Sequence, residues 1–513
     1  MTMTYAATTI HELLAAPNSG ADAAPALRAP GTAALHYGAL RELTQAVVAT
    51  LQAHGIGAND RVALVLDNGP HMAAAFLTIA CGATVAPLNP AYRADEFEFY
   101  LQDLRAKLLI VQASAASPVL SIAAQLGIPI AELHTRPERG AGYFELSWPT
   151  ASQAPTETPR LAEPDDIALV LHTSGTTSRP KIVPLRHRNV CASAYHIGRT
   201  LQLTAADTGL NIMPLFHIHG LIAGILAPLA AGGQVFCSPG FNALKFFSWL
   251  SEAQANWYSG VPTMHQAILS RAPKNAETIR ANPLRFIRSS SASLPPQVIR
   301  ELEATFAAPV VEAYSMTEAA HQMTSNPLPP GVRKPGSVGL AAGPEVCILG
   351  ADGVPALPGA TGEIAIRGAN VMGGYENNPK ANAEAFSDGW FRTGDQGVMD
   401  DAGYVTITGR LKEIINRGGE KISPREVDEV LLDHPAVAQC VAFAIPHDKL
   451  GEDVAAVIVL REGVQASEAE LREFAAQRLA AFKVPRKLVF RDEIPKGATG
   501  KLQRIGLAAK LGL

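Results

Sequence analysis

Apolar runs with no polar face recur through the first part of the chain, each followed by a stretch with helical spacing. RVALVL (61–66) and KLLIVQ (107–112) read as strands buried on both sides. HMAAAFLTIACGA (71–83) is an alanine-rich helix, and DEFEFYLQDLR (95–105) has the spacing of an amphipathic connecting helix. A strand buried on both faces needs helices above and below it, and a parallel neighbour needs a crossover. The alternation therefore predicts an α/β fold of helix-flanked, largely parallel sheets.

At 513 residues the chain exceeds what one hydrophobic core serves, so at least two domains are expected. Between 331 and 409 the pattern changes to short strands and glycine turns (CILGADGVP, GEIAIRG, GYVTITG), which predicts a small antiparallel, β-barrel-like subdomain. After Arg410 come two helical stretches (SPREVDEVLLDH, SEAELREFAAQRL) and three strands (VAQCVAFAIP, DVAAVIVL, KLVFRDE), enough for a separate small, mobile α+β domain. The expected domains are 1–410 and 411–513. Residues 151–165, rich in Pro, Thr and acid, are expected to form a surface connection.

Charge and cysteine usage exclude several function classes. A net charge of −4 supplies no global field for nucleic acid. No long uncharged apolar window is present, so no membrane span is expected. The N-terminus lacks a basic n-region, the C-terminal KLGL is not a peroxisomal address, and a cytoplasmic protein is expected. The five cysteines are scattered without CxxC spacing, as suits small hydrophobes in a reducing compartment.

Five short segments carry chemistry. LHTSGTTSRPK (171–181) leaves a buried strand, IALVL (167–171), where open α/β sheets place ligands. The hydroxyls of Thr173, Ser174, Thr176 and Thr177 around Gly175 could wrap phosphate oxygens, with Lys181 to neutralise them. The spacing is not that of a Walker A loop. EAYSMTE (312–318) offers Glu318 as a hard oxygen ligand for Mg²⁺. RTGD (392–395) puts a carboxylate on a glycine turn, suited to two ribose hydroxyls. GRLKEIINRGGEKIS (409–423) and PKGATGKLQR (495–504) complete the set. Each alone is compatible with an ordinary turn.

In this order and at these distances the segments resemble the adenylate-forming superfamily of acyl-CoA synthetases, which includes coumarate–CoA ligases, fatty acyl-CoA synthetases and luciferases. The resemblance spans nearly the whole chain. It implies that Thr173, Ser174, Gly175, Thr176, Thr177 and Lys181 hold the β- and γ-phosphates of ATP. Tyr314 would lie against adenine, with Ala313 and Ser315 also binding ATP, Thr317 and Glu318 at the α-phosphate and magnesium, and Asp395 and Arg410 at the ribose. Lys412 matches the hinge and Lys501 the lysine needed for adenylation; Gly418 and Gly419 lie in the segment that approaches coenzyme A. The implied activity is ATP-dependent acid–CoA ligation through an acyl-adenylate, releasing AMP and pyrophosphate. The family loop reads T-S-G-T-T-G-x-P-K-G, whereas this chain has Ser178 and Ile182 at the later glycine positions. Isoleucine is disfavoured at positive φ, so residue 182 is expected to be extended.

The acid must be read from PLFHIHG (214–220), RSSSASL (288–294) and AAHQMTSNPLP (319–329). A fatty-acid tunnel needs apolar walls; these segments supply His217, His219, Arg288, Ser289, Ser291, Ser293 and His321. Such donors suit a second carboxylate near the reacting one. TSRPK, EAYSMTEAAHQMTSNPLP and INRGGEKISPREVD resemble the oxalyl-CoA synthetases of plants and yeast. That resemblance implies an oxalate pocket built on Ser291 and His321, with His217 as a gate and His219 and Arg288 nearby. The alternatives are a CoA ligase for another small or medium-chain acid, a luciferase-like monooxygenase, or an adenylation module loading a separate carrier. A degenerate binding protein would have lost Lys501 or Glu318, and both are present.

Overall fold

Helix Pro70–Ala80 has no polar face: nine of its 11 residues are buried. Proline at its first position costs nothing, because that N–H has no partner inside a helix anyway. A helix apolar all round must be enclosed. It packs against Thr84–Pro87 of one sheet and against Pro25–Ala29 and Gln234–Cys237 of another, so it lies between two layers. The computed structural model describes residues 7–15, 21–148, 160–173, 180–495 and 504–513.

The first layer is a seven-stranded sheet in the order Phe144–Ser147, Ile130–Thr135, Leu108–Gln112, Arg61–Val65, Thr84–Pro87, Ile167–Thr173, Lys181–Arg186. Its inner pairs are parallel and its two outer pairs antiparallel. The second is a nine-stranded sheet. Its parallel centre includes Thr208–Asn211, Trp257–Gly260, Phe286–Ser290 and Val310–Met316, and the antiparallel His321–Ser325 lies beyond. The α/β alternation expected from the sequence is thus present, with helix Ala94–Leu104 as one of the connecting elements.

Strands Glu345–Leu349, Thr361–Arg367, Trp390–Met399 and Val405–Arg410, with the short Phe386–Ser387, pair antiparallel. Among the described residues the hydrogen-bonded order does not return on itself, so this unit is an open five-stranded sheet rather than the barrel-like form expected. The last sheet draws only on residues from Ile415 onward, with helices Pro424–Leu432 and Glu468–Ala476 packed beside it. Of the expected connection at 151–165, residues 151–159 lie outside the described residues. No helix of the described residues is long and apolar enough to cross a membrane.

The centre of the nine-stranded sheet is tightly packed. Trp257 is 1% exposed and stacks on Phe286 with ring centroids 5.4 Å apart. Its indole lies over Gly209, where an added Cβ would stand 2.8 Å from Cζ2. Neither ring has space to retreat. Gly209→Ala should therefore lower stability by about 1–3 kcal/mol through overpacking, measured as a fall in Tm with ATP binding retained at low temperature.

Candidate functional site

Parallel strands deliver their C-terminal ends to one edge of the sheet, and side chains following those ends meet there. Strands Trp257–Gly260, Phe286–Ser290 and Val310–Met316 run in this way, with Ser259 opposite Arg288 and Ser289 opposite Glu312 in register. A cleft of about 350 Å³ opens at this edge. Its walls include Ser289, Ser291, Ser293, Ala313, Tyr314 and Ser315 from the nine-stranded sheet. Asp395 and Arg410 come from the antiparallel sheet, and helix Pro424–Leu432 contributes Arg425, Asp428 and Glu429.

One corner of the cleft is built on Asp395. It accepts a hydrogen bond from the Tyr314 hydroxyl and another from Arg410 Nε at 2.8 Å. Asp395 and Arg410 are directly opposed in the antiparallel pair, so register alone brings carboxylate and guanidinium together. Asp395 beside it holds the Arg410 guanidinium well above its ordinary range.

A second cluster, whose residues are not part of the cleft lining, joins two segments far apart in sequence. Glu318 sits on the short 3₁₀ turn Thr317–Ala319 and is buried; its Oε1 accepts from the Tyr375 hydroxyl at 2.8 Å. Lys181 Nζ stands 4.2 Å above the same Tyr375 ring. Burial pushes the Glu318 carboxyl up, and the charges of Arg410 and Lys181 oppose that shift. Thr173 and Lys181 pair across the neck of the hydroxyl-rich loop. Ser174, Gly175, Thr176, Thr177 and Ser178 lie outside the described residues. Ile182 is extended within strand Lys181–Arg186, as expected.

A third cluster gathers the polar side chains of the acid-pocket segments; Ser291 lines the cleft, whereas His217, His219, Arg288 and His321 do not. His219 Nδ1 is 3.1 Å from Ser291 Oγ, and Nε2 is 2.6 Å from Ser259 Oγ. The His219 and His321 rings stack, 4.8 Å between centroids. His217 is half-buried, and its Nδ1 accepts from the backbone N–H of His219 at 3.3 Å. Arg288 is fully buried behind them. Its nearest partners are neutral: Nη1 reaches Ser259 and His219, and Nη2 reaches Gln322 Oε1, each at 3.4 Å. No carboxylate of the described residues lies within ion-pair distance of it, and burial pushes its proton affinity down to about 9. Ser291 (φ 73°) and His321 (φ 101°) both hold left-handed backbone, a cost that functional sites commonly carry.

Other expected site residues fall elsewhere. Gly418 and Gly419 form the exposed two-residue turn between Ile415–Arg417 and Glu420–Ile422, with φ of 60° and 98° that only glycine accepts easily. They do not line the cleft in this arrangement. Lys412 is exposed in the turn just after Arg410. Lys501 lies outside the described residues. Sequence reasoning missed Ser259, Gln322 and Tyr375, whose partners lie tens of residues away and leave no local signal.

It also passed over Glu312, which lines the cleft beside Ala313. Burial raises its carboxyl from 4.5 to about 8, although the Gly336 N–H donates to it at 3.2 Å. Because the folded value lies above the unfolded one, its stabilising contribution is complete below about pH 4.5 and is lost as pH rises through about 8. Glu312→Gln removes the ionisation. Its Tm relative to wild type should therefore rise between about pH 5 and about pH 9, as measured by thermal denaturation across that range.

Comparison with known proteins places these features in a family. Residues 16–376 match the model of the AMP-binding enzyme, and residues 426–501 match the AMP-binding enzyme C-terminal domain. An oxalate–CoA ligase of Arabidopsis thaliana is 45% identical over 484 residues, covering 93% of this chain and 94% of that protein. An oxalate–CoA ligase of Saccharomyces cerevisiae is 44% identical over 471 residues, covering 87% and 86%. The crystal structure of ATP-bound MatB from Rhodopseudomonas palustris superposes with a TM-score of 0.85 at 30% identity, over 96% of this chain and 97% of that one.

Proposed function

The chain belongs to the AMP-binding enzyme family, and from that premise we propose that it converts oxalate, ATP and coenzyme A into oxalyl-CoA, AMP and pyrophosphate. A carboxylate is a poor electrophile, because its charge repels an incoming thiolate. Attack of one carboxylate oxygen on the α-phosphorus forms a mixed anhydride and expels pyrophosphate. The thiol of coenzyme A then attacks the activated carbonyl, and AMP leaves.

Each of the three clusters has a part in this. Asp395 accepts the ribose hydroxyls, with Arg410 and Tyr314 holding its carboxylate in place. Tyr314 faces the adenine, with Ala313 and Ser315 lining the same nucleotide site. Thr173 and Lys181, at the neck of the hydroxyl-rich loop, draw the β- and γ-phosphates, and Thr317 orients the α-phosphate. Glu318 suits Mg²⁺ as a buried hard-oxygen donor whose Oε1 is held by the Tyr375 hydroxyl. Bound there, the ion would offset charge on the phosphate oxygens. Lys501, carried by the PKGATGK segment, supplies a point charge between the acid and the α-phosphate. Rotation of 411–513 about Lys412 then exchanges that lysine for the Gly418–Gly419 hairpin, opening room for the thiol.

The observation that carries the choice of acid is the buried guanidinium of Arg288, which meets only neutral partners behind Ser291, His219 and His321. An excess positive charge behind hydrogen-bond donors favours an acid that brings a second negative charge. The relatives named above support the same reading. An aliphatic acid would leave those groups buried without a ligand. A site built for hydrogen bonds rejects an analogue lacking the group by roughly 10⁴-fold.

An acid panel with ATP and coenzyme A, followed by AMP release, should give oxalate a kcat/KM far above octanoate. Malonate should fail through its length. Equal values for oxalate and octanoate would falsify the oxalate assignment while leaving acid–CoA ligation intact. Lys501→Ala should abolish oxalate-dependent pyrophosphate exchange yet spare attack of coenzyme A on preformed oxalyl-adenylate. Exchange at the wild-type rate would remove that lysine from the adenylation step.

A further inference from the structure

Arg288 does not reach the cleft, yet its hydrogen bonds run toward it. The amide of Gln322 donates from Nε2 to Ala342 O at 3.0 Å and to Thr200 Oγ1 at 3.1 Å. Its orientation is thereby settled, and Oε1 is the atom that accepts from Arg288 Nη2. The other arm of the guanidinium, Nη1, faces Ser259 Oγ and His219 Nε2 together. A guanidinium only donates. A proton on His219 Nε2 would be directed at Ser259 Oγ but would also crowd the Arg288 N–H donors at 3.4 Å. Nε2 therefore carries a lone pair, which accepts from the Ser259 hydroxyl at 2.6 Å. The imidazole proton then sits on Nδ1 and donates to Ser291 Oγ at 3.1 Å. With its lone pair so used, Ser291 has its own hydroxyl proton left to direct into the cleft that it lines.

We propose that Arg288 is a positioning and specificity residue: through Ser259 and His219 it polarises Ser291, so that Ser291 presents a hydrogen-bond donor to the distal carboxylate of the acid. The proposal rests on the oxalate reading above and assigns Arg288 a role other than direct contact with substrate. Register explains why the chain can exist. Ser259 and Arg288 are Cα partners on adjacent parallel strands and so share a face of the sheet. Ser291 follows immediately on the strand carrying Arg288, and its left-handed backbone (φ 73°) turns it out of the strand's alternation toward the cleft. Without the cation, the more common Nε2–H tautomer of His219 could donate to Ser259. Nδ1 would then accept from Ser291, whose lone pairs would face the incoming carboxylate and repel it.

The test reads the tautomer and the kinetics separately. In ¹⁵N-histidine-labelled enzyme without substrate, with His219 assigned by the signal lost in His219→Gln, wild type should show the Nδ1–H tautomer. Arg288→Met should shift it to Nε2–H. The same variant should raise KM for oxalate by roughly 10–100-fold, the span expected for losing a hydrogen bond to a charged group. Its KM for ATP should stay within a few-fold. Arg288→Lys, which keeps a donor-only cation, should retain the Nδ1–H tautomer and most of the oxalate affinity. Ser259→Ala, which leaves Arg288 facing Nε2, should keep the tautomer and serves if Arg288→Met does not fold.

An Nε2–H signal in wild type would overturn the proposal. So would a tautomer unchanged in Arg288→Met, a flipped tautomer with unchanged oxalate KM, or a flip in Ser259→Ala. The tautomer needs no acid to be measured. Failure of the relay is thus separate from failure of the oxalate reading, which the acid panel decides.

Discussion

The carboxylate of Asp395 joins the nine-stranded sheet to the antiparallel one at the edge of the cleft. Tyr314 reaches it from the nine-stranded sheet and Arg410 from the neighbouring strand of the antiparallel sheet. Arg410 is also the last residue before the turn leading into the C-terminal sheet. One buried, doubly held acid therefore fixes the nucleotide corner of the cleft and the point from which the small unit departs. Charge-assisted bonds of this kind are worth more than neutral ones and are demanding in geometry. Tyr375 has the same function in the second cluster: its hydroxyl holds Glu318 while its ring carries Lys181.

The acid pocket depends on a different constraint, the mismatch between a buried cation and its neutral surroundings. An arginine enclosed without a carboxylate is costly, and structures retain one only where something offsets it. Here the backbone also departs from relaxed geometry nearby, at Ser291, Ala320 and His321. His219 opens a π-helical segment, His219–Leu226, a form that recurs at functional sites. Two glycines permit it: a Cβ at Gly220 would stand 2.3 Å from Pro214 O, and one at Gly224 would stand 2.4 Å from Asn211 Oδ1.

Local chemistry was legible and long-range chemistry was not. Continuous apolar runs such as IALVL became the buried strand Ile167–Thr173, and the extended backbone of Ile182 followed from its branched side chain. The segment EAYSMTE pointed to the strand and turn that carry Tyr314 and Glu318. By contrast, Ser259, Gln322 and Tyr375 are ordinary residues in the sequence, made significant only by strand register and by chain crossings. Arg288 was visible as a cation among serines, but its burial, and hence its distance from the cleft, depends on which face of a central strand it occupies. The antiparallel unit was foreseen in its strands and misjudged in its closure, because short alternating strands do not encode whether the outer two will meet.

Helix Pro70–Ala80 has a consequence beyond packing. It belongs to the interior of both large sheets and gives neither an apolar surface of its own. Partial opening of one sheet would strip solvent protection from the other, so the two layers form a single foldon, and their amides should exchange with solvent only through one shared, global event. The C-terminal sheet, with its own cluster of buried side chains, stands outside that bargain.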